Sequence, residues 1–185
     1  MMIFDLLDEL KQGLRELEPD QLEQKYRALA EEEAGPKVAK LIADAGVSDY
    51  ESELADGLAQ AMEAADESGC EAILFEYDMD GDWDGWFYVC PDYEPESADD
   101  EDWADEREEQ VEGPSHAAFA RAFAKHGGLD EDDDAKSAAT LHLIARTMAC
   151  LMRAIAIARP DGLAVCARFE GQDDIWRLRE PGDED

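Results

Sequence analysis

Apolar residues recur at helical spacing through the N-terminal third of the chain. Pro19 and Pro36 each favour the first turn of a helix, and Gly35 and Gly46 follow as expected helix ends. Ser48 and Glu51 have the spacing of a capping box, which predicts a helix that runs from Ser48 to about Ser68 and is ended by Gly69. The first predicted helix rests on the apolar stripe Ile3, Leu6, Leu7, Leu10, Leu14 and Leu17.

The pattern changes to strands in the central stretch Glu71–Cys90. Two short runs rich in apolar and aromatic residues, 72–75 and 86–90, flank an acidic centre that contains Asp-Gly steps. Such runs around a turn are typical of a β-hairpin. A second hairpin is predicted from Leu163–Phe169 and Ile175–Leu178, around a turn near Gly171. In its last strand Trp176 and Leu178 alternate with Arg177 and Arg179, which predicts one buried face and one solvated face.

Two further helices are predicted between the hairpins. Ser115 is a good N-cap for a helix that reaches about Lys125. The acidic block 130–134 complements the positive end of a long helix, roughly Ala135–Ala158, that is apolar almost all round. We expect this helix to be the most buried element, with Leu143, Ile144, Met148, Leu151 and Ile155 in the core. Arg146 and Arg153 interrupt its apolar surface and argue against a transmembrane span.

The predicted fold is therefore α+β: a single domain, residues 1–185, of about six helices around a small antiparallel sheet formed by two β-hairpins. The segment 92–113 is predicted to be an acidic exposed loop or a partly helical insertion, because like charges at such density oppose compaction. Its aromatic residues Tyr93 and Trp103 either anchor the loop to the body or contact a partner. Residues 182–185 are expected to form a frayed tail.

Charge narrows the possible partners. The 185 residues include 49 acidic and 16 basic side chains, a formal net charge of −33. A protein that binds nucleic acid or an anionic membrane surface needs Lys and Arg side chains to contact the phosphates. A basic protein is therefore the natural partner of this acidic chain. High solubility is the alternative reason for this acidity.

The N-terminus lacks the basic region and cleavage site of a signal peptide, so we expect a cytoplasmic protein. Cys70, Cys90, Cys150 and Cys166 lack metal-binding spacing, and pairings Cys70–Cys90 or Cys150–Cys166 stay open.

The aspartates of the first hairpin turn, Asp78, Asp80, Asp82 and Asp84, imitate the start of a calcium loop. Pro91 stands where that loop needs a bidentate Glu, and the flanks read as strands, so a solvated turn or an acidic binding edge is favoured over a cation site. The histidines show no catalytic or metal-binding spacing. His142, Arg146 and Arg153 share a helical face and are interpreted as partners for buried or half-buried carboxylates. We predict no catalytic residue, no metal and no cofactor.

In overall character, the acidity, the helical N-terminal half, the strand pair FEYDMDGDWDGWFYVC and the closing hairpin resemble small bacterial toxin-immunity proteins, and the composition resembles DNA-mimic proteins. The resemblance implies a non-enzymatic inhibitor of a cationic protein, such as a toxic nuclease. The alternatives are a metal-dependent hydrolase using the Asp78–Asp84 carboxylates and a soluble adaptor. The carboxylates and aromatic residues predicted to bind the partner are Asp78, Asp80, Asp82, Asp84, Tyr93, Asp99, Asp100, Glu101, Asp102, Trp103, Glu108 and Glu109.

Overall fold

The helices of the N-terminal part follow the predicted apolar stripes. The computed structural model describes residues 3–129 and 132–183. Its first helices are α1 (Ile3–Glu16), α2 (Pro19–Glu33), α3 (Pro36–Ala43) and α4 (Ser48–Ser68). Gly69 ends α4 in the left-handed conformation, as the pattern predicted. The predicted capping box is wrong, because Ser48 already belongs to α4 and the capping position is Val47, which offers no side-chain acceptor.

Both predicted hairpins are present, but they join into one mixed sheet. Its strands are β1 (Ala72–Tyr77), β2 (Gly85–Cys90), β3 (Glu109–Glu112), β4 (Ala164–Phe169) and β5 (Trp176–Arg179). The order across the sheet is β3-β2-β1-β4-β5, and β1 pairs with β4 in parallel. The prediction of a purely antiparallel sheet is therefore wrong. The long helical connection between the hairpins carries the chain back to the same end of the sheet, so that β4 enters in the direction of β1.

The longest helix forms the centre of the helical layer. This helix, α6 (Asp134–Ala158), buries the predicted core residues Leu143, Ile144, Met148, Leu151 and Ile155. By length and composition it is the one described helix that passes as a membrane-span candidate, and 72% of its most apolar window is buried inside the molecule, as in a core helix. Asp133 caps α6 by accepting a hydrogen bond from the backbone N–H of Lys136 at 3.0 Å. Residues 130 and 131 of the predicted acidic block lie outside the described residues.

The other inter-hairpin helix, α5 (Ala117–His126), begins differently from the prediction. Its cap is His116 rather than Ser115, because the His116 Nδ1 accepts a hydrogen bond from the Phe119 backbone N–H at 3.2 Å. The His116 ring also stacks on Phe119 with centroids 3.9 Å apart. Burial lowers the pKa of His116, which keeps the ring neutral and leaves Nδ1 able to accept.

Apolar side chains are buried on both faces of the sheet. One face packs on the helices, through a main core that includes Phe75, Phe87, Trp83 and Trp176. The opposite face carries a smaller apolar cluster around Leu74, Cys90 and Cys166, which is closed by residues of the acidic segment. All four cysteines are buried and free, so neither alternative disulfide is formed. Near the C-terminus the Glu180 backbone N–H donates to the Asp183 carboxylate at 2.8 Å, and residues 184–185 of the predicted tail lie outside the described residues.

Candidate functional site

The acidic segment, which we define as residues 91–112, is folded onto the second face of the sheet. It contains two short 3-10 turns, Glu96–Ala98 and Asp102–Asp105, and it ends in β3. Trp103 is only 5% exposed and lies in the smaller apolar cluster with Leu74 and Cys166. Tyr93 meets Trp103 edge to face, with ring centroids 5.2 Å apart. Of the two sequence interpretations for these aromatic residues, this geometry corresponds to anchors that hold the segment to the body.

Arg177 provides the principal polar anchor for the segment. Its side chain is 1% exposed and donates from Nη1 to the Glu101 carboxylate at 3.1 Å. Its Nη2 donates to the backbone carbonyl of Glu94 at 2.9 Å. Arg177 and its neighbour Arg179 are both buried, so the prediction that this face of β5 is solvated is wrong. A buried guanidinium requires carboxylate or carbonyl acceptors, and the acidic segment supplies them for Arg177. Arg179 donates instead to the Asp161 carboxylate and the Asp183 carbonyl.

Further ion pairs fasten both ends of the acidic segment. Near its start Glu96 accepts from Lys11 at 2.7 Å and from Arg15, both on α1, and these hydrogen bonds lower the pKa of Glu96 to about 2. Near its end Arg107 lies over the Tyr88 ring, 3.6 Å from the centroid, and contacts Glu76 at 3.4 Å. Charges inside the segment are thus of two kinds: those that hold it and those that it presents to solvent.

The solvent-facing carboxylates form the acidic surface of the candidate site. Asp99, Asp100, Asp102, Glu108 and Glu109 are exposed, as the sequence-based interpretation required. Glu101 differs, because it is half-buried and paired with Arg177. Two exposed carboxylates absent from the sequence-based site, Asp105 and Glu106, lie between these residues along the chain. Asp99 adopts a left-handed backbone conformation (φ 54°), which a short polar side chain tolerates well.

The aspartates of the β1–β2 turn do not converge. Asp80, Asp82 and Asp84 are exposed, whereas Asp78 is half-buried and accepts a hydrogen bond from the Asp80 backbone N–H at 2.8 Å. Trp83 points inward between them and donates from Nε1 to the Thr147 hydroxyl at 3.0 Å. Among residues 3–129 and 132–183, no three His, Cys, Asp or Glu side chains are grouped so that they could hold a metal ion. This geometry matches a solvated turn around a buried tryptophan.

The basic stripe on α6 pairs with carboxylates of α2 and α4. Arg146 donates to Glu23 at 3.1 Å and to the backbone carbonyls of Ile42 and Ala45. Arg153 contacts Glu23 at 2.8 Å and Glu51 at 2.9 Å. The interpretation of these arginines as structural partners for carboxylates is confirmed. His142 departs from it, because its Nδ1 is buried with no hydrogen-bond partner among the described residues. Burial and the nearby Arg146 lower the pKa of His142 to about 3.

Comparison with known proteins identified no relative of this chain: no family model matches it, and no curated protein or solved structure matches it significantly.

Proposed function

We propose that this protein is a non-enzymatic acidic binding protein that neutralises a cationic partner protein, most specifically an immunity protein against a bacterial toxin such as a nuclease. The observation that supports the proposal is the anchored acidic segment. Trp103 and Arg177 hold its inner side, while Asp99, Asp102 and Glu108 face solvent. The carboxylates are therefore presented from an ordered surface rather than from a loose tail.

Order in the acidic segment matters for affinity. A partner that binds an already folded surface avoids part of the entropy cost of immobilising a loop, and preorganisation of this kind raises affinity. The concentrated negative charge also attracts a basic partner over distance, which raises association rates about 10- to 1,000-fold. In a nuclease the carboxylates would compete with substrate phosphates for the same basic residues. The proposed place of action is the cytoplasm.

The test compares two charge-matched variants of the protein. The first removes exposed carboxylates of the acidic segment: Asp99→Asn, Asp102→Asn, Glu106→Gln, Glu108→Gln and Glu109→Gln. The control removes five exposed carboxylates on α2 and α4: Glu32→Gln, Glu33→Gln, Glu63→Gln, Asp66→Asn and Glu67→Gln. Both variants have the same net charge, so any difference between them reports the location of the carboxylates.

Each basic protein encoded beside the gene is co-expressed with the unmodified protein and with both variants. We expect one such protein to be toxic, and growth to be rescued by the unmodified protein and by the control. Association measured across a salt series should be about tenfold slower for the acidic-segment variant than for the control. Equal rates for the two variants, or failure to neutralise any neighbouring product, would refute the proposal.

A further inference from the structure

The outer edge of β3 is open. β3 is the terminal strand in the order β3-β2-β1-β4-β5, and no described residue pairs with its outer side. The Gly113 backbone N–H donates to the Gly85 carbonyl at 2.9 Å, and Val111 is in register with Phe87. Antiparallel pairing alternates, so Val111 points its backbone groups at β2. The N–H and C=O groups of Gln110 and the N–H of Glu112 consequently point away from the sheet, whereas the Glu112 carbonyl oxygen faces α4 and lies 3.5 Å from the position that a Cβ atom on Gly57 would take.

A groove runs beside this edge, between β3 and α4. It has a volume of about 390 Å³, and its walls carry Glu53, Asp56 and Gln60 from α4 together with Glu112 from β3. The helix comes this close because Gly57 faces the sheet: a Cβ atom there would lie 2.7 Å from Cε2 of Phe87. The open backbone edge and the groove form one continuous surface.

Both sides of the edge strand are acidic. Side chains alternate along a strand, so Glu109 and Val111 share one face while Gln110 and Glu112 share the other. Among the described residues, Glu53, Asp56, Glu109 and Glu112 take part in no ion pair, so their charge is not neutralised within the molecule. A basic segment beside β3 would thus meet carboxylates on either face.

The same charges determine what the edge rejects. An unpaired edge strand invites pairing with any extended chain, and charged side chains on it prevent unwanted partners. A second copy of this protein carries a net charge of −33 and would meet strong repulsion. An extended segment rich in lysine or arginine meets attraction and gains backbone hydrogen bonds at the same time.

We infer that the β3 edge and its groove bind an extended, lysine- or arginine-rich segment of the cationic partner, which pairs with β3 as an additional strand. The inference rests on the proposed function and specifies how the partner is held. The acidic segment steers the basic partner towards the protein, and hydrogen bonds to the backbone of Gln110 and Glu112 set the register of the bound strand. Glu53 and Asp56, which the sequence did not single out, become binding residues.

The probe for this inference is a synthetic octapeptide that alternates lysine with valine or threonine. Its control has the same sequence and charge, but all of its backbone amides are N-methylated, so it cannot donate hydrogen bonds along either edge. We expect the unmodified peptide to slow amide hydrogen exchange at Gln110 and Glu112, and the methylated peptide to leave it unchanged. Binding is also followed through the tryptophan fluorescence of the protein, because Trp86 is the exposed member of its four tryptophans, at 36%, and lies on β2 opposite Glu112.

Two pairs of variants separate backbone pairing from charge. Gln110→Pro removes an outward N–H without breaking the β2–β3 ladder, because proline is tolerated on an edge strand at such a position, and Gln110→Ala keeps that N–H. We expect about tenfold weaker peptide binding for Gln110→Pro and little change for Gln110→Ala. The double change Glu53→Gln and Asp56→Asn should weaken binding about tenfold, whereas Glu63→Gln with Asp66→Asn removes equal charge from α4 with little effect.

The outcomes of these experiments distinguish failure of strand pairing at β3 from failure of the proposed function. Equal binding of both peptides, or equal binding by the two Gln110 variants, would overturn strand pairing while leaving the acidic-segment test untouched. Failure of the unmodified protein to neutralise any neighbouring basic protein in the co-expression test would refute the proposed function even if the peptide binds. The methylated peptide needs no change in the protein, so the test does not depend on how well Gln110→Pro folds.

Discussion

Glu101 and Asp102 are adjacent in the acidic segment but have opposite roles. Glu101 accepts hydrogen bonds from Arg177, whose side chain is 1% exposed, whereas Asp102 is exposed to solvent. A buried guanidinium that loses its carboxylate partner stays charged, but it no longer has the ion pair that offsets the cost of its burial. The sequence-based interpretation treated the two residues as equivalent interface carboxylates, and only the position of Arg177 separates them.

We predict that Glu101→Gln lowers the free energy of unfolding by about 1–3 kcal/mol, because Arg177 loses a charge-assisted hydrogen bond in a buried position. The partial exposure of Glu101 keeps the loss below that of a fully buried pair. Asp102→Asn should change stability by no more than about 0.5 kcal/mol. Urea denaturation of the two variants measures both values. Similar stabilities would show that the pair with Arg177 contributes nothing.

His142 makes the folding stability of the protein depend on pH. Burial holds the folded-state pKa at about 3, while an unfolded histidine titrates near its ordinary value of about 6.5. Between these values the unfolded state binds one more proton than the folded state. This contribution to stability is therefore present above about pH 6.5 and is lost progressively as the pH falls towards about 3.

We predict that His142→Leu flattens the loss of stability with acid. Between about pH 6 and pH 4, the unfolding free energy of the variant should fall less steeply than that of the unmodified protein, by about 1.4 kcal/mol per pH unit. Carboxylate titration is common to both proteins and cancels in the difference. The measurement is urea denaturation across this range. Parallel curves for the two proteins would mean that His142 titrates normally in the folded state.

At the scale of elements, the contact between α4 and the sheet depends on the missing side chain of Gly57. A Gly→Ala change inside a helix normally stabilises it by about 1 kcal/mol. At this position the new methyl group would lie 2.7 Å from Phe87 Cε2, within a buried contact between α4 and β2. The overlap requires the helix or the ring to move, and overpacking typically costs about 1–3 kcal/mol.

We predict that Gly57→Ala destabilises the protein by about 1–2 kcal/mol, since the cost of overpacking exceeds the gain in helix propensity. Combining it with Phe87→Leu should show a favourable coupling in a double-mutant cycle, because the smaller side chain makes room for the methyl group. Thermal or urea denaturation of the single and double variants supplies the values. Stabilisation by Gly57→Ala alone would contradict the contact.

The elements that the sequence predicted well are those with local signals. Apolar spacing and the positions of Pro19, Pro36 and Gly69 located α1 to α4. Asp-Gly steps between apolar runs located the first hairpin. In each case the residues that carry the signal are close in sequence to the structure they form.

The elements that the sequence did not predict depend on distant partners. β3 has the sequence EQVE, which carries no strand signal. It is a strand because its backbone pairs with β2 in an antiparallel ladder. Arg177 appeared solvated because its acceptors, Glu101 and the Glu94 carbonyl, lie far away in the chain. The parallel pairing of β1 with β4 was missed for the same reason: a hairpin pattern does not say which strands of two hairpins will be neighbours.

At the scale of the whole molecule, the net charge of −33 opposes folding through self-repulsion. Salt screens exposed charges over about 8 Å at physiological ionic strength. We predict that the thermal midpoint rises by at least about 2–4 °C between low and moderate sodium chloride, which corresponds to about 1 kcal/mol. Both charge-matched variants should show a smaller rise. Calorimetry supplies the midpoints, and a midpoint independent of salt would show that the carboxylates do not destabilise the fold.

The parallel pairing of β1 with β4 has a consequence for the order in which the chain folds during translation. β1 and β2 leave the ribosome together and can pair at once, but the other neighbour of β1 follows only after α5 and α6. At about 5–20 residues per second, the apolar strand AILFEY keeps one side unpaired for several seconds of synthesis. We expect the nascent chain to be most prone to aggregation during those seconds, and we expect repulsion between the acidic side chains already synthesised to keep neighbouring nascent chains apart.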